Sequence, residues 1–212
     1  MIVDTPFYLD VTLCCGQAFR WTKLDNWWYG VAGDHAFKVR QLGNLVEFEN
    51  IDWQFVQNYF SLDVDLQKIS ASINRDQHIQ KALKEYFGLR IIRQDPWECL
   101  ISYICATYKN IPAIRHMLNN ISQKFGQETS LDGHKFYTFP KPKELAKATE
   151  KELTACGLGY RAKYVLATSK QIHEGNFNLD DLAQVPYLEA KQTLMQLPGV
   201  GAKAQPGIDI AA

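Results

Sequence analysis

Residues 194–203 read LMQLPGVGAK, and they decide what kind of fold the second half of the chain builds. The preceding run, YLEAKQTLMQL (187–197), carries its apolar residues at helical spacing, and Pro198-Gly199-Val200-Gly201 breaks it sharply. A Gly-x-Gly turn between two helices exposes several backbone N–H groups at the start of the second. With the positive end of the helix dipole they form a seat for a DNA phosphate. Leu197 and Val200 are placed to pack the two helices together. An αα-hairpin that needs glycine only to turn uses the same residues, so the motif alone leaves both readings open. Lys203 follows at the mouth of the second helix. A neutral lysine there can attack an electrophilic sugar carbon and form a Schiff base, and a surface lysine on a phosphate is the alternative. Pro206 and Gly207 come almost at once, so the second hairpin helix is expected to be frayed or absent.

Upstream, the apolar pattern keeps its helical period. WECLISYICATY (97–108) opens on Asp95-Pro96, an N-cap followed by proline at the first helical position. IPAIRHMLNNISQKFG (111–126) stops at Gly126. KPKELAKAT (141–149), EKELTACG (150–157) and YRAKYVLATSKQIHEG (160–175) complete a helical series. Helices are also expected in WQFVQNYF (53–60) and HIQKALKEYF (78–87), the latter capped by Gly88. The first fifty residues read differently. FYLDVTL, QAFRWTKL, NWWYGVA, HAFKVRQL and NLVEFEN are rich in β-branched and aromatic residues, with turn chemistry at CCG, LDN, AGD and LGN. The fold class is therefore α+β: an N-terminal antiparallel β-sheet part with flanking helices (1–90), then an all-helical helix-hairpin-helix domain (91–212).

Composition narrows the function classes. Apolar residues make up 46% and charged residues 22% of the 212, which fits a packed globular chain and excludes a disordered or fibrous one. No apolar run is long enough for a membrane span, and MIVDTPFYLD lacks a secretory signal pattern, so an intracellular protein without a membrane partner is expected. Cys14, Cys15, Cys99, Cys105 and Cys156 are odd in number and show no metal-ligand spacing. Reduced thiols are expected, with no zinc or iron–sulfur site. Residues 1–88 carry 8 basic and 11 acidic side chains, and 89–212 carry 15 and 12. The more basic second half can meet phosphates, but a bias this small decides nothing alone.

Two further stretches bear on chemistry. GLGYRAKY (157–164) is a glycine loop presenting an aromatic and an arginine. Such a pair can wedge Tyr160 into a base stack while Arg161 reads the orphaned base, or can simply join two helices. In CGQAFRW (15–21), Phe19 and Trp21 are read as core positions of a strand, and Gly16 permits close backbone approach to a ligand.

LCCGQAFRW, RIIRQDPWECLISYICAT, GLGYRAKY and LPGVGAK together resemble the 8-oxoguanine DNA glycosylase/AP lyases of the helix-hairpin-helix glycosylase superfamily. The resemblance runs from about residue 8 to Lys203, in matching order and spacing. It implies base excision DNA repair on double-stranded DNA holding a damaged base or an abasic site, by a monomer without a cofactor. It implies the cytoplasm or nucleoid in a bacterium and the nucleus in a eukaryote. Lys203 matches the Schiff-base lysine, which expels the damaged base and then opens the abasic site. Gly16 falls where a backbone carbonyl recognises the N7 hydrogen of 8-oxoguanine. Tyr160 and Arg161 match the wedge and the reader of the orphaned cytosine, and Gly199, Val200 and Gly201 the phosphate-gripping hairpin. The carbonyls of Met195, Leu197 and Val200 match those that hold a structural, non-catalytic cation.

The sequence departs from the family in three places. A run of three asparagines, the first of which fills the hole left by the flipped base, is here Tyr108-Lys109-Asn110, so only Asn110 survives. Ala113 stands where animal members carry an arginine that also reads the opposite cytosine. The family's aspartate some twenty residues after the lysine, and the last helical segment of its base pocket, have no counterpart after AQPGIDIAA. The expectation is a C-terminally truncated member with low activity on intact lesions. The alternatives are an inactive DNA-binding remnant and a glycosylase for alkylated bases on the same fold.

Overall fold

In a computed structural model, residues 1–201 are described; Lys203 and the tail after it lie outside the described residues. The described chain divides into two compact units, Met1–Gly30 with Phe37–Arg93, and Val31–Ala36 with the residues from Gln94 onward.

The first unit holds an antiparallel meander in the order β1 (Thr22–Leu24), β2 (Trp27–Ala32), β3 (His35–Leu42), β4 (Leu45–Glu49), in which the tip of the β2–β3 hairpin belongs to the second unit. Register is fixed by tight turns, with Leu24 opposite Trp27 and Leu42 opposite Leu45. The aromatic residues that made this region read as sheet form its core. The rings of Trp21 and Phe37 meet edge to face at 5.1 Å, and Trp21 Nε1 donates to Tyr59 Oη at 3.1 Å.

The structure corrects three expectations in this unit. FYLDVTL contains no strand, because Leu9–Cys14 forms a helix, α1. Leu9, Thr12 and Leu13 are its buried residues, an i, i+3, i+4 stripe that outweighs the β-branched Val11 and Thr12. QAFRW is not strand either: ladder pairing begins only at Thr22, Trp21 is buried and Phe19 is half-buried. Gly88 is not a helix cap. After the expected α2 (Trp53–Tyr59) comes α3 (Leu66–Ile73), a helix the sequence reading missed, and α4 (Gln77–Glu85) then ends at Tyr86. Gly88, at φ +100°, lies against the Phe7 backbone, where a Cβ would meet Phe7 C at 3.0 Å.

Arg90, 2% exposed, ties this unit together. Its Nε donates to Pro6 O at 2.9 Å, and Nη1 donates to Ser61 O at 3.0 Å and to Val64 O at 2.7 Å. Nη2 donates to Pro6 O at 2.6 Å and to the Thr5 hydroxyl. A buried guanidinium is tolerated only when its donors are satisfied, and here the acceptors come from two segments distant in sequence.

The second unit packs α5 (Pro96–Ala106) against α6 (Ile111–Phe125), with α7 (Pro142–Ala146), α8 (Glu150–Leu153), α9 (Ala162–His173) and α10 (Tyr187–Leu194) following in the chain. Asp95 caps α5 through its side chain, which accepts Glu98 N at 2.8 Å, with Pro96 in the first turn. Gly126 ends α6, its N–H donating to Ser122 O at 2.8 Å. Leu100, Ile104, Leu118, Ile121 and Val165 are buried in this core. The unit is not wholly helical: β5 (Glu128–Leu131) and β6 (His134–Tyr137) form a hairpin around Asp132-Gly133, both at positive φ. That dipeptide is a strong hairpin signal, overlooked in a helical context.

Replacing Arg90 with Met leaves the carbonyls of Pro6, Ser61 and Val64 without their charged donor. Urea unfolding is expected to show a loss of about 3 kcal/mol or more.

Candidate nucleic-acid interface

Three turns of the second unit, at residues 107–110, 157–161 and 197–201, are linked side by side, the last two through Tyr164 on α9. The hairpin turn comes first. Leu197 N donates to Leu194 O at 3.0 Å and Val200 N to Leu197 O at 3.1 Å, so the chain tightens as α10 ends. Leu197 and Val200 are buried, 2% and 7% exposed, as a packing role requires. Gly199 sits at φ +84°, and a Cβ there would stand 2.8 Å from Tyr164 Cβ and 3.3 Å from Ile104 Cγ2. Only glycine meets both conditions. Thr168 Oγ1 donates to Pro198 O at 3.0 Å and ties the turn to α9. Gly201 is exposed, and no described residue comes within 4 Å of a Cβ placed there. The Leu197 carbonyl accepts one hydrogen bond and keeps a second lone pair, so a backbone cation site with Met195 and Val200 fits its donor chemistry.

Tyr164 carries the contact onward. Its ring meets that of Tyr160 edge to face at 6.3 Å, and Lys163 Nζ lies 5.0 Å from its centroid. Tyr160 is 54% exposed. It is held on a turn that follows α8 through the widened segment Thr154–Leu158, broken at Gly157 with φ +91°.

Arg161 does the opposite of its exposed neighbour. It is 3% exposed, with its guanidinium 4.4 Å from the Tyr160 ring centroid. Nη2 donates to the Thr107 carbonyl and Nη1 to the Leu158 carbonyl at 3.4 Å. Nε is buried and has no partner among the described residues. Burial pushes the Cys105 thiol up to about 12 even though the Arg161 charge acts to lower it, which marks how apolar this pocket is. The guanidinium thus joins the α5–α6 turn to the Tyr160 turn, a role the motif did not announce.

At the far side of that bond, Asn110 is exposed and caps α6, its Oδ1 accepting Ala113 N at 3.0 Å. Ala113 is half-buried in the first turn of that helix. Tyr108 stands at φ +52° and is 91% exposed. The sequence reading placed it in the helical run 97–108 and treated it as a departure from asparagine, but α5 ends at Ala106 and leaves it outside the helix.

Gly16 belongs to the first unit, at φ +89°. Gln17 braces it: Nε2 donates to Arg90 O at 2.7 Å and to Thr12 O at 3.0 Å, while Oε1 accepts Ile92 N at 2.8 Å. Gln17 also escaped the sequence reading. Its signal was a polar residue in the middle of an otherwise apolar stretch.

Residues 2–100 match the family description "8-oxoguanine DNA glycosylase, N-terminal domain", and residues 101–209 match "HhH-GPD superfamily base excision DNA repair protein". The N-glycosylase/DNA lyase of Saccharomyces cerevisiae is 34% identical over 162 residues, 70% of this chain and 43% of the relative. That of Arabidopsis thaliana is 29% identical over 95% of this chain and 60% of its own length. The chain therefore spans roughly half the length of these curated relatives. The apo structure of Clostridium acetobutylicum 8-oxoguanine glycosylase/lyase superposes with a TM-score of 0.90 at 33% identity, over 97% of this chain and 73% of that one. The second half thus falls in the helix-hairpin-helix class of base excision repair proteins, and the first half is the N-terminal domain of a glycosylase of that class. Within that class, the chain belongs to the 8-oxoguanine DNA glycosylase family.

The two hairpin glycines separate cleanly in their demands. Gly199→Ala is expected to cost about 2 kcal/mol or more in urea unfolding, from left-handed strain and the clash with Tyr164. Gly201→Ala, with no described residue in reach of the new Cβ, is expected to stay within about 0.5 kcal/mol of the parent.

Proposed function

We propose that this chain binds double-stranded DNA and acts on an oxidised guanine or the abasic site it leaves. The observation that carries the reading is the contiguous row from Gly199 through Tyr164 and Tyr160 to Arg161 and the Thr107 carbonyl. It links a glycine hairpin turn through Tyr164 to an exposed aromatic, in a chain of this family. A structure of the Clostridium acetobutylicum enzyme is described in complex with double-stranded DNA containing cytosine opposite 8-oxoguanine.

In this reading the hairpin turn of Gly199, Val200 and Gly201 grips a phosphate through the N–H groups of its glycines, Val200 N staying on Leu197 O, and Tyr160 enters the stack beside the flipped nucleotide. The Gly16 carbonyl accepts the N7 hydrogen of the oxidised base, and Asn110 lines the vacated space. Arg161 reads the orphaned cytosine through its Nε, which makes no bond among the described residues, while it keeps Thr107 and Leu158. The carbonyls of Met195, Leu197 and Val200 would hold a structural cation, which would supply rigidity to the hairpin and no bond-breaking chemistry. The neutral Nζ of Lys203 attacks C1′, the C1′–N9 bond breaks, and the base leaves with the electron pair and gains a proton. Ring opening gives the Schiff base between Lys203 and C1′. Loss of a C2′ proton then breaks the C3′–O bond, and the 3′ phosphate departs in β-elimination. The protein acts alone on one duplex, as a monomer.

Borohydride reduces that Schiff base to a stable secondary amine. The full chain mixed with an abasic-site duplex and with an 8-oxoguanine·C duplex is expected to give a covalent adduct with the abasic DNA. Lys203→Gln is expected to give none. Salt-sensitive binding without any adduct on either DNA would instead make the chain a DNA-binding member without lyase chemistry.

A further inference from the structure

Of the five cysteines, Cys14 and Cys15 are exposed, Cys99 is half-buried, and Cys105 and Cys156 are buried. Burial pushes the Cys105 and Cys156 thiols up, so those two are protonated as well as inaccessible. The two open thiols are therefore neighbours in sequence. Cys14 is the last residue of α1, and Cys15 is its C-cap at φ −71° and ψ −3°. Successive side chains on a helix stand about 100° apart, and at this end no further helical turn holds the pair in that arrangement.

Two sulfurs select their ligand by number and softness. Among the described residues no third histidine, cysteine, aspartate or glutamate joins them in a metal-holding group. Zinc, which takes four ligands, is poorly served by such a pair. A trivalent arsenical is well served, because it is soft, bonds strongly to sulfur and exchanges its oxygen for two thiols.

One of the two thiols is also tied to the rest of the unit. The Cys15 S–H donates to Thr12 O at 3.3 Å, and its sulfur accepts from Gln17 Nε2 at 3.2 Å. That same nitrogen donates to Thr12 O and Arg90 O, and Gln17 Oε1 accepts Ile92 N. Gly16, at φ +89°, is the residue between Cys15 and Gln17. A sulfur bonded to arsenic has no hydrogen left for Thr12 O, and its new bulk stands where the Gln17 amide reaches Cys15.

We propose that Cys14 and Cys15 form a vicinal-dithiol site for trivalent arsenicals, and that filling it disturbs the Gln17 brace of Gly16. Both S–H bonds break, two As–S bonds form, and the arsenical's oxygen leaves as water with the two thiol hydrogens. Arsenic and sulfur keep their oxidation states, so no oxidant is needed. The coupling rests on the reading that the Gly16 carbonyl meets an oxidised base; the dithiol site does not.

The test mixes the full chain with one equivalent of phenylarsine oxide in an excess of glutathione, a monothiol, and reads intact and peptide masses. One phenylarsenic group per chain is expected, on the peptide that carries Cys14 and Cys15, and ethanedithiol is expected to remove it. Cys14→Ser and Cys15→Ser are each expected to lose it. A parent that retains no arsenical against glutathione overturns the site, and so does retention by both variants. Affinities for an 8-oxoguanine·C duplex and for an undamaged one are then compared by fluorescence anisotropy. Loading is expected to lower the parent's preference for the lesion by about 5-fold or more, the scale of one lost hydrogen bond. Cys14→Ser treated in the same way is expected to keep its preference. A fully loaded parent with unchanged preference overturns the coupling. A parent without lesion preference before loading removes the Gly16 reading and the coupling with it, while the masses still decide the site.

Discussion

The interface turns on a buried positive charge with no carboxylate beside it among the bonds it makes. Arg161 is almost fully buried, and its guanidinium is solvated by two main-chain carbonyls and the face of a tyrosine. A charge in that position must keep its acceptors, so the turns that carry Thr107 and Leu158 are held where the guanidinium can reach them. Everything that faces outward from those turns inherits its placement: Tyr160 directly, Tyr108 one residue along, Asn110 at the start of α6. The hairpin joins through Gly199, pressed on Tyr164. The first unit repeats the device with Arg90, whose donors gather the carbonyls of Pro6, Ser61 and Val64.

That device explains what sequence reading reached and what it did not. Elements with their own local chemistry were legible. Asp95-Pro96 opens α5, Gly126 closes α6, and the alternating aromatics of 26–50 build the meander. Elements whose cause is tertiary were not. Arg90 and Arg161 look like surface charges in one dimension, because their partners are carbonyls, and carbonyls have no residue identity. α1 was hidden by β-branched residues whose neighbours Leu9 and Leu13 needed a helix to be buried together. The hairpin at Asp132-Gly133 was legible and overlooked, since the turn dipeptide lay among helices.

For the site, Leu197 and Val200 are buried, Gly199 is pressed on Tyr164 and Tyr160 is exposed. Arg161 was legible as a named residue but not as a clamp. Tyr108 stood out in the sequence only by being unlike the family, and its strain became visible with the backbone. The stable core of the unit and its outward face pull in different directions: α5 and α6 pack tightly, while the turn between them spends conformational energy to hold a ring in water.

The central claim is that these turns act as one DNA-facing surface. Amide hydrogen exchange of the full chain, with and without an abasic-site duplex, tests it most directly. Slowed exchange in the segments 107–113, 157–164 and 197–201 together is the predicted result. Unchanged exchange there, with protection confined to other segments of the chain, would contradict it.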